Sequence, residues 1–218
     1  MTMQIGMIAS DGVIIASDRR WVDQTGVRHT FAASKVVLDS ARGIAVGRSG
    51  SYLVSLAVAD RIIAELVQSD SDIPRISIQN IANQVWNKTS RHPSESIHCL
   101  VALNAKDSHS LFSLQPGPDG LVCENVFDKM CTGDLGNAAL FFHEGYYTQR
   151  PISELKFLAA HIVLSAARLN PIGVDGLEMV LCDANGIHSV SPGEIQEMKS
   201  RSTTLDAHIR ASLCASDS

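Results

Sequence analysis

The sequence predicts a mixed α+β fold, a four-layer αββα sandwich of two antiparallel sheets with helix pairs outside them. The hydrophobic period changes along the chain from strands to two helices, back to strands, again to two helices, and finally to strands. Two sheets that are each covered by helices satisfy this order, whereas a doubly wound sheet would need strict β-α-β alternation. With 218 residues and 45% hydrophobic content, the chain holds one good-sized domain. We expect that domain over residues 2–200 and a polar, frayed tail over 201–218.

Bulk charge and cysteine usage narrow the function classes. The net charge of −5 and pI of about 5.9 disfavour nucleic acid and anionic membranes as partners. We expect no membrane span, because no uncharged apolar run is long enough. Asp11 interrupts the apolar start, and no basic segment precedes it, so we expect no signal peptide. The five cysteines are scattered without a CxxC pair, which disfavours a zinc site and favours reduced thiols in the cytoplasm.

Two pairs of short apolar runs near the start predict β-hairpins. The predicted strands are Met3–Ala9 with 13–17, and 35–38 with 43–47. Ser10-Asp11-Gly12 joins the first pair and is a strong turn signal.

Helical periodicity follows, and then the pattern repeats. Apolar residues in the first segment recur at alternating spacings of four and three. The predicted helices are 52–69, 78–89, 136–148 and 154–169. The remaining predicted strands are 97–104, 108–115, 120–127, 176–183 and 186–190.

Hairpin pairing brings polar groups together. In the first hairpin, paired positions sum to about 21 to 23, so Asp18 lies within a residue or so of the chain start. In the second, they sum to about 82, which puts Lys35 opposite Gly47. If the hairpins lie side by side, Thr2, Asp18, Lys35 and Gly47 converge at their open ends.

This set of residues fits N-terminal nucleophile chemistry. If Met1 is removed, the free α-amine of Thr2, with a pKa of about 7.7–8.0, can serve as base for the hydroxyl of the same residue. A nearby Lys35 ammonium lowers that pKa, and Asp18 pairs with Lys35 and holds it in place. The Gly47 N–H can stabilise an oxyanion, and losing such a donor costs about 3–4 kcal/mol in the transition state.

The motifs resemble the β-type subunits of proteasomes, which are N-terminal-threonine hydrolases. The matching residues are Thr2, Asp11-Gly12-Val13-Ile14, Ala16-Ser17-Asp18-Arg19-Arg20, Lys35-Val36 and Gly43-Ile44-Ala45-Val46-Gly47. The bacterial branches, HslV-like peptidases and the ancestral-β-subunit (Anbu) type, are the most similar, because no propeptide precedes the threonine. The likeness extends from Thr2 to about Val190 and includes TGDLGNAALFFHEGYYTQR.

The resemblance implies an αββα fold and a role for each matching residue. Thr2 is the nucleophile, Asp18 and Lys35 form the electrostatic pair, and Gly47 is the oxyanion donor. Substrate contacts are expected from Ala45 and Arg20, and the small Ala45 implies a roomy specificity pocket.

Several positions depart from the family pattern. Thr132 stands where the family carries a serine, and it keeps a hydroxyl. Asn170 and Gly173 stand where the family carries an aspartate and a serine that support the N-terminal amine. Gly50 is a rival for the oxyanion role, and Asp175 could replace the missing negative charge.

The resemblance implies no metal or organic cofactor. It implies a peptide or unfolded protein as substrate, a homo-oligomeric ring or spiral, and an ATP-dependent unfoldase as a further partner. Two other functions stay open: a ring-forming scaffold without chemistry, and an amidase for small molecules. A thiol protease built on Cys99 or Cys182 is disfavoured, because both lie within apolar strands.

Overall fold

The structure is a computed structural model that describes residues 2–22, 30–66, 74–89, 96–105 and 108–214. The strands are β1 Met3–Ala9, β2 Gly12–Ser17, β3 Arg20–Val22, β4 Thr30–Ala32, β5 Val36–Asp39, β6 Ile44–Gly50, β7 Ile97–Ala105, β8 Ser108–Gly117, β9 Gly120–Val126, β10 Lys129–Gly133, β11 Glu178–Asp183 and β12 Gly186–Ser189. The helices are α1 Tyr52–Glu65, α2 Pro74–Thr89, α3 Leu140–Tyr146, α4 Ile152–Leu169 and α5 Pro192–Cys214. Within these ranges, no helix is both long and apolar enough to cross a membrane.

Two five-stranded antiparallel sheets organise the chain. The first has the strand order β10-β1-β2-β11-β12, and the second has the order β5-β6-β7-β8-β9. Strands β3 and β4 form a separate antiparallel pair. The predicted mixed α+β class with two antiparallel sheets is therefore confirmed.

Three apolar clusters hold the sheets and helices together. The first joins β1, β2 and β11 to α4, with Ile5, Ile14 and Ile162 fully buried. The second joins β6 to β9 with α1 and α2. The third joins residues of the two sheets to each other, including Ile15 and Leu100. Because each strand of the two hairpins contributes alternate residues to two clusters, the register of each hairpin is fixed by burial.

The first hairpin has the predicted register, and the second does not. Gln4 pairs with Ser17 in the first, within the predicted range. In the second, Gly47 pairs with Val36. The Arg48 N–H donates to the Lys35 carbonyl at 2.8 Å. The expectation that Lys35 lies opposite Gly47 is therefore wrong by one residue, because β5 and β6 pair through a turn one position later than the sequence indicates.

The end of the chain also differs from expectation. Helix α5 continues to Cys214, so the prediction of a frayed tail after Ser200 is wrong up to that residue. Only Met198 and Ser202 are buried on this helix, and so little apolar periodicity gives no clear sequence signal. The prediction at 136–148 contains the shorter helix α3, and strands β3, β4 and β10 were not predicted.

Candidate active site

A lysine, an aspartate and a threonine meet where β1, β2 and β5 begin or end. Lys35 Nζ lies 2.9 Å from Thr2 Oγ1, and 2.8 and 2.9 Å from the two carboxylate oxygens of Asp18. Lys35 and Asp18 are 0% exposed, and Thr2 is 5% exposed. An ammonium that contacts both a carboxylate and a hydroxyl can keep the hydroxyl oxygen oriented and favour its deprotonated form.

Backbone amides fix the Asp18 carboxylate. The N–H groups of Met3 and Arg20 each donate to one of its oxygens at 2.9 Å. Burial raises the pKa of Asp18, while the Lys35 ammonium and these two amides oppose that rise. Burial likewise lowers the pKa of Lys35, and Asp18 opposes that change. The attraction between the two charges thus offsets the cost of burying each of them away from water.

A carboxylate that the sequence analysis missed positions the backbone of Lys35. Glu178 on β11 accepts from the N–H groups of Lys35 and Val36, the latter at 3.1 Å. It also accepts from the Ser34 hydroxyl at 2.8 Å. Glu178 belongs to the first sheet and Lys35 precedes the second, so this carboxylate ties the two sheets together next to the site. No local sequence signal marks Glu178, since its partners lie more than 140 residues away.

The two glycines considered for the oxyanion role face different neighbours. Successive N–H groups along a strand alternate between the two adjacent strands. Because the Arg48 N–H points to the β5 side, the Gly47 N–H points to β7, where Leu100 is its partner. The Gly50 N–H points to the side of β6 on which Lys35 lies, beyond the start of β5. Gly50 has a φ of 88°, which favours glycine there.

Of the two residues expected to contact substrate, Ala45 is buried and Arg20 contacts the segment that follows α4. Ala45 is fully buried in the cluster between the sheets. The Arg20 side chain donates to the Pro171 carbonyl and forms an ion pair with Asp175 at 2.7 Å. Arg20 therefore clamps the segment that follows α4.

Residues near the other side of Thr2 form a second polar group. The Asp134 N–H donates to the Thr2 carbonyl at 2.7 Å. The Asp134 carboxylate accepts from the side-chain amides of Asn170 at 2.9 Å and Asn137 at 3.2 Å. A carboxylate is thus present in contact with Asn170, although on the turn after β10 and not at the end of α4. Thr132 donates to Gln4 at 3.2 Å.

A second buried cation, also missed by the sequence analysis, lies next to Lys35. Arg48 is 3% exposed, and its guanidinium carbon lies 5.3 Å from the ring centre of Trp21 and 5.5 Å from that of Tyr52. The ammonium of Lys35 lies 5.1 Å from the same Trp21 ring. The one-residue change of register places Arg48 here.

The cysteines do not provide an alternative nucleophile at this site. Burial raises the pKa of the Cys99 and Cys182 thiols to about 12. A thiol with such a pKa is almost never a thiolate at neutral pH.

No protein-family model and no curated protein matches the sequence, but solved structures match the fold over nearly the whole chain. Anbu (ancestral beta-subunit) from Yersinia bercovieri has a TM-score of 0.72 and 14% identity over 96% of this chain and 97% of that one. Anbu from Hyphomicrobium sp. strain MC1 has a TM-score of 0.74 and 13% identity over 99% and 98%. The helical assembly of the Anbu complex from Pseudomonas aeruginosa has a TM-score of 0.78 and 14% identity over 99% and 97%. The chain therefore has the proteasome-β-like fold of Anbu proteins.

Proposed function

We propose that the chain is a threonine-type peptide amide hydrolase whose nucleophile is Thr2 after removal of Met1, a residue outside those the structure describes. The observation that carries this proposal is the Lys35 ammonium, which contacts the Thr2 hydroxyl and the Asp18 carboxylate together in a buried site. The Asp18 carboxylate alone neutralises the Lys35 ammonium, so the contact between Lys35 and the Thr2 hydroxyl is not needed to balance the buried charge.

The proposed reaction uses the α-amine of Thr2 as its base. The amine takes the hydroxyl proton while Oγ1 attacks the substrate carbonyl carbon, and the resulting oxyanion accepts a hydrogen bond from the Gly50 N–H, in place of Gly47. The C–N bond then breaks, and the leaving amine takes the proton from the α-ammonium. Water attacks the Thr2 ester with the same amine as base, which releases the acid and restores the hydroxyl.

The supporting residues divide into two groups. Lys35 and Asp18 orient and polarise the hydroxyl. Asp134, held by Asn170 and Asn137 and bonded through its N–H to the Thr2 carbonyl, fixes the backbone that carries the amine. Thr132 keeps β10 beside β1 through its contact with Gln4.

The rest of the proposal concerns architecture and partners. We assign the four-layer αββα sandwich, because the apolar clusters place helices against the outer faces of both sheets. The Anbu complex of Pseudomonas aeruginosa is a helical assembly, and we propose a spiral or ring of like subunits for this chain. Such a compartment would take peptides or unfolded proteins, served by an ATP-dependent unfoldase. The five unpaired cysteines fit the reducing cytoplasm.

Intact mass and peptide hydrolysis test this function together. We expect the purified protein to have the mass of the sequence without Met1 and to cleave fluorogenic peptide amides. Thr2→Ala should abolish cleavage, Thr2→Ser should retain part of it, and Cys214→Ser, which removes an exposed thiol, should leave it unchanged. Retention of Met1 on every molecule, or equal rates for Thr2→Ala and wild type, would reject the proposal and leave the scaffold. Cleavage of small amides but not of peptides would favour the amidase.

A further inference from the structure

A cavity of about 480 Å³ lies where the edge strands of the two sheets meet helix α5. It is lined by the start of β5, by β11 with the turn before it, by the end of β12 and by the first two turns of α5. Among the described residues, Thr2, Asp18 and Lys35 do not line it, so the cavity is separate from the candidate active site. Cavities of about 300–1,000 Å³ hold small organic molecules.

Two residues of the cavity wall are cations without an ionic partner in the described part of the chain. Arg19 and Lys199 both line the cavity, and none of the ion pairs between described residues includes either of them. A side chain at Gly176 would come within 3.2 Å of Cβ and 3.7 Å of Cδ of Arg19. The aliphatic stem of Arg19 therefore lies along the Gly176 backbone, which fixes this cation at the wall.

The third charged residue of the wall is Glu178, and its carboxylate is already bonded within the chain. It accepts from the N–H groups of Lys35 and Val36 and from the Ser34 hydroxyl. Burial raises the pKa of Glu178, while these donors and the Arg19 charge oppose that rise. Two cations and one carboxylate leave the wall with one net positive charge. The wall therefore matches a ligand with a single negative charge.

Most of the remaining wall is apolar. The apolar side chains that line the cavity are Val36, Leu177, Met179, Val180, Val190 and Ile195. An apolar group that packs against them is removed from water, which favours its binding. A ligand that combines one anionic group with an apolar body thus satisfies both parts of the wall.

We infer that the cavity binds an amphipathic organic anion, a monocarboxylate with an apolar body, and that its occupant restrains the segment that carries Lys35. The carboxylate pairs with the two cations, and the apolar body packs against Val36. Ser34 and Val36 both line the cavity, and they stand on either side of Lys35. Because the ligand binds only the closed form of this segment, it makes local opening less frequent. The inference concerns a second site and goes beyond the proposed function.

Calorimetry with octanoate and octanamide tests the site. The two probes have the same hydrocarbon chain and nearly the same size, and they differ in charge. We expect wild-type protein to bind octanoate about 3- to 30-fold more tightly than octanamide at pH 7.5, the range for two ion pairs at partly exposed positions. Equal affinities, a preference for octanamide, or no saturable binding of octanoate would overturn the inference.

Variants of the two cations identify the residues responsible. Arg19→Gln and Lys199→Gln should each reduce the preference for octanoate, and the double variant should remove it. Lys88→Gln is the control, because Lys88 is exposed on α2 and does not line the cavity, and it should keep the preference. A preference that survives in the double variant, or one that is lost in the control, would reject the assignment.

Amide hydrogen exchange tests the restraint on Lys35. The N–H groups of Lys35 and Val36 are bonded to Glu178, so their exchange reports the opening of this segment. Saturating octanoate should slow their exchange several-fold and leave that of α2, which does not line the cavity, unchanged. Binding of octanoate without slower exchange at Lys35 and Val36 would overturn the second half of the inference.

Peptide hydrolysis by the same protein separates this inference from the proposed function. If octanoate binds with the expected preference while no peptide is cleaved, the proposed function fails and the cavity site stands. If peptides are cleaved by a Thr2-dependent reaction while octanoate shows no preference over octanamide, the function stands and the cavity site fails.

Discussion

Two buried cations lie opposite each other where β5 and β6 pair, and they have very different surroundings. The ammonium of Lys35 contacts both oxygens of Asp18 and the hydroxyl of Thr2. The guanidinium of Arg48 contacts one neutral carbonyl and two aromatic rings. The Lys35 ammonium has both a negative partner and a hydroxyl partner within the chain, whereas Nε and Nη1 of Arg48 have no hydrogen-bond partner among the described residues. The charge of Lys35 is therefore offset by an ion pair, whereas Arg48 forms none with the described residues.

Removal of Asp18 should give the largest effect on stability. In Asp18→Ala, the Lys35 ammonium stays buried without its carboxylate, and breaking a buried pair in this way costs about 3–5 kcal/mol. Urea unfolding measured against Glu197→Gln, which removes an exposed carboxylate, checks the prediction. A loss no greater than that of the control would mean that Lys35 is not charged in the folded state, and the comparison with Arg48 would fail.

The two glycines of β6 should differ in what they affect. A side chain at Gly50 would meet the Ser96 carbonyl at 2.0 Å in a backbone conformation with φ of 88°. We therefore expect Gly50→Ala to displace its N–H and to lower kcat about 100-fold, the typical cost of one oxyanion donor. A side chain at Gly47 would meet the end of the Gln4 side chain at 2.4 Å, which overpacks the core at a cost of about 1–3 kcal/mol.

Steady-state kinetics on folded protein distinguishes the two glycine variants. Gly47→Ala should unfold at a lower urea concentration than wild type but keep its kcat. Gly50→Ala should have a lower kcat than wild type in the fraction that stays folded. The reverse pattern would return the oxyanion role to Gly47, the residue that the sequence indicated.

Local patterns in the sequence were sufficient for most elements and for the centre of the site. The first hairpin is short and has a tight turn, so its register followed from the turn and placed Asp18 next to the chain start. The groups that support this centre could not be predicted in the same way. Glu178 contacts Lys35 from the other sheet. Asp134 contacts Asn170, although helices α3 and α4 lie between the two residues in the sequence. The roles of both carboxylates therefore depend on contacts between segments that are distant in the sequence.

The register of the second hairpin shows how an error of one residue changes the functional interpretation of the site. A shift by one residue moves every side chain of β6 to the opposite face. The predicted register placed Gly47 opposite Lys35, and the family resemblance implied a roomy specificity pocket lined by Ala45. With Arg48 in that place, the neighbour of Lys35 is a large cation between aromatic rings, and Ala45 lies in the core.

A buried histidine on α4 makes the stability of the protein depend on pH, and this affects the pH at which the cation variants are best compared. His161 is enclosed between α4 and α5, where the Ser202 hydroxyl lies 2.9 Å from its Nδ1. Burial lowers the pKa of His161 below 6.5, against the opposing effect of Asp206. As pH falls through 6.5, the imidazole is therefore protonated in the unfolded chain before it is protonated in the folded chain. The contribution of His161 to the free energy of unfolding is thus present at neutral pH and is lost as pH falls.

We expect His161→Gln to reduce this loss. One such group contributes at most about 1.4 kcal/mol per pH unit, so urea unfolding at pH 7.5 and at pH 5 should show a smaller difference in the variant than in wild type. His98 and His143 also have pKa values lowered by burial, and they should keep part of the dependence. An unchanged difference would place the titration elsewhere, and the cation variants would then have to be compared at several pH values.

The smallest expected effect is on the stability of Arg48→Met, and it is the sharpest test of the comparison. The variant loses the bond to the Ser34 carbonyl, worth about 1 kcal/mol, and the contacts with the Trp21 and Tyr52 rings, worth about 0.5–2 kcal/mol. It also removes a buried charge that forms no ion pair with any described residue, and it fills the space with a flexible apolar side chain. These effects oppose each other, so the free energy of unfolding should change by no more than about 1 kcal/mol. Lys35→Met should lose several times more, because it leaves the Asp18 carboxylate buried without a cation. Equal losses in urea unfolding would mean that the surroundings of Arg48 stabilise its charge as well as Asp18 stabilises that of Lys35, and the comparison between the two cations would fail.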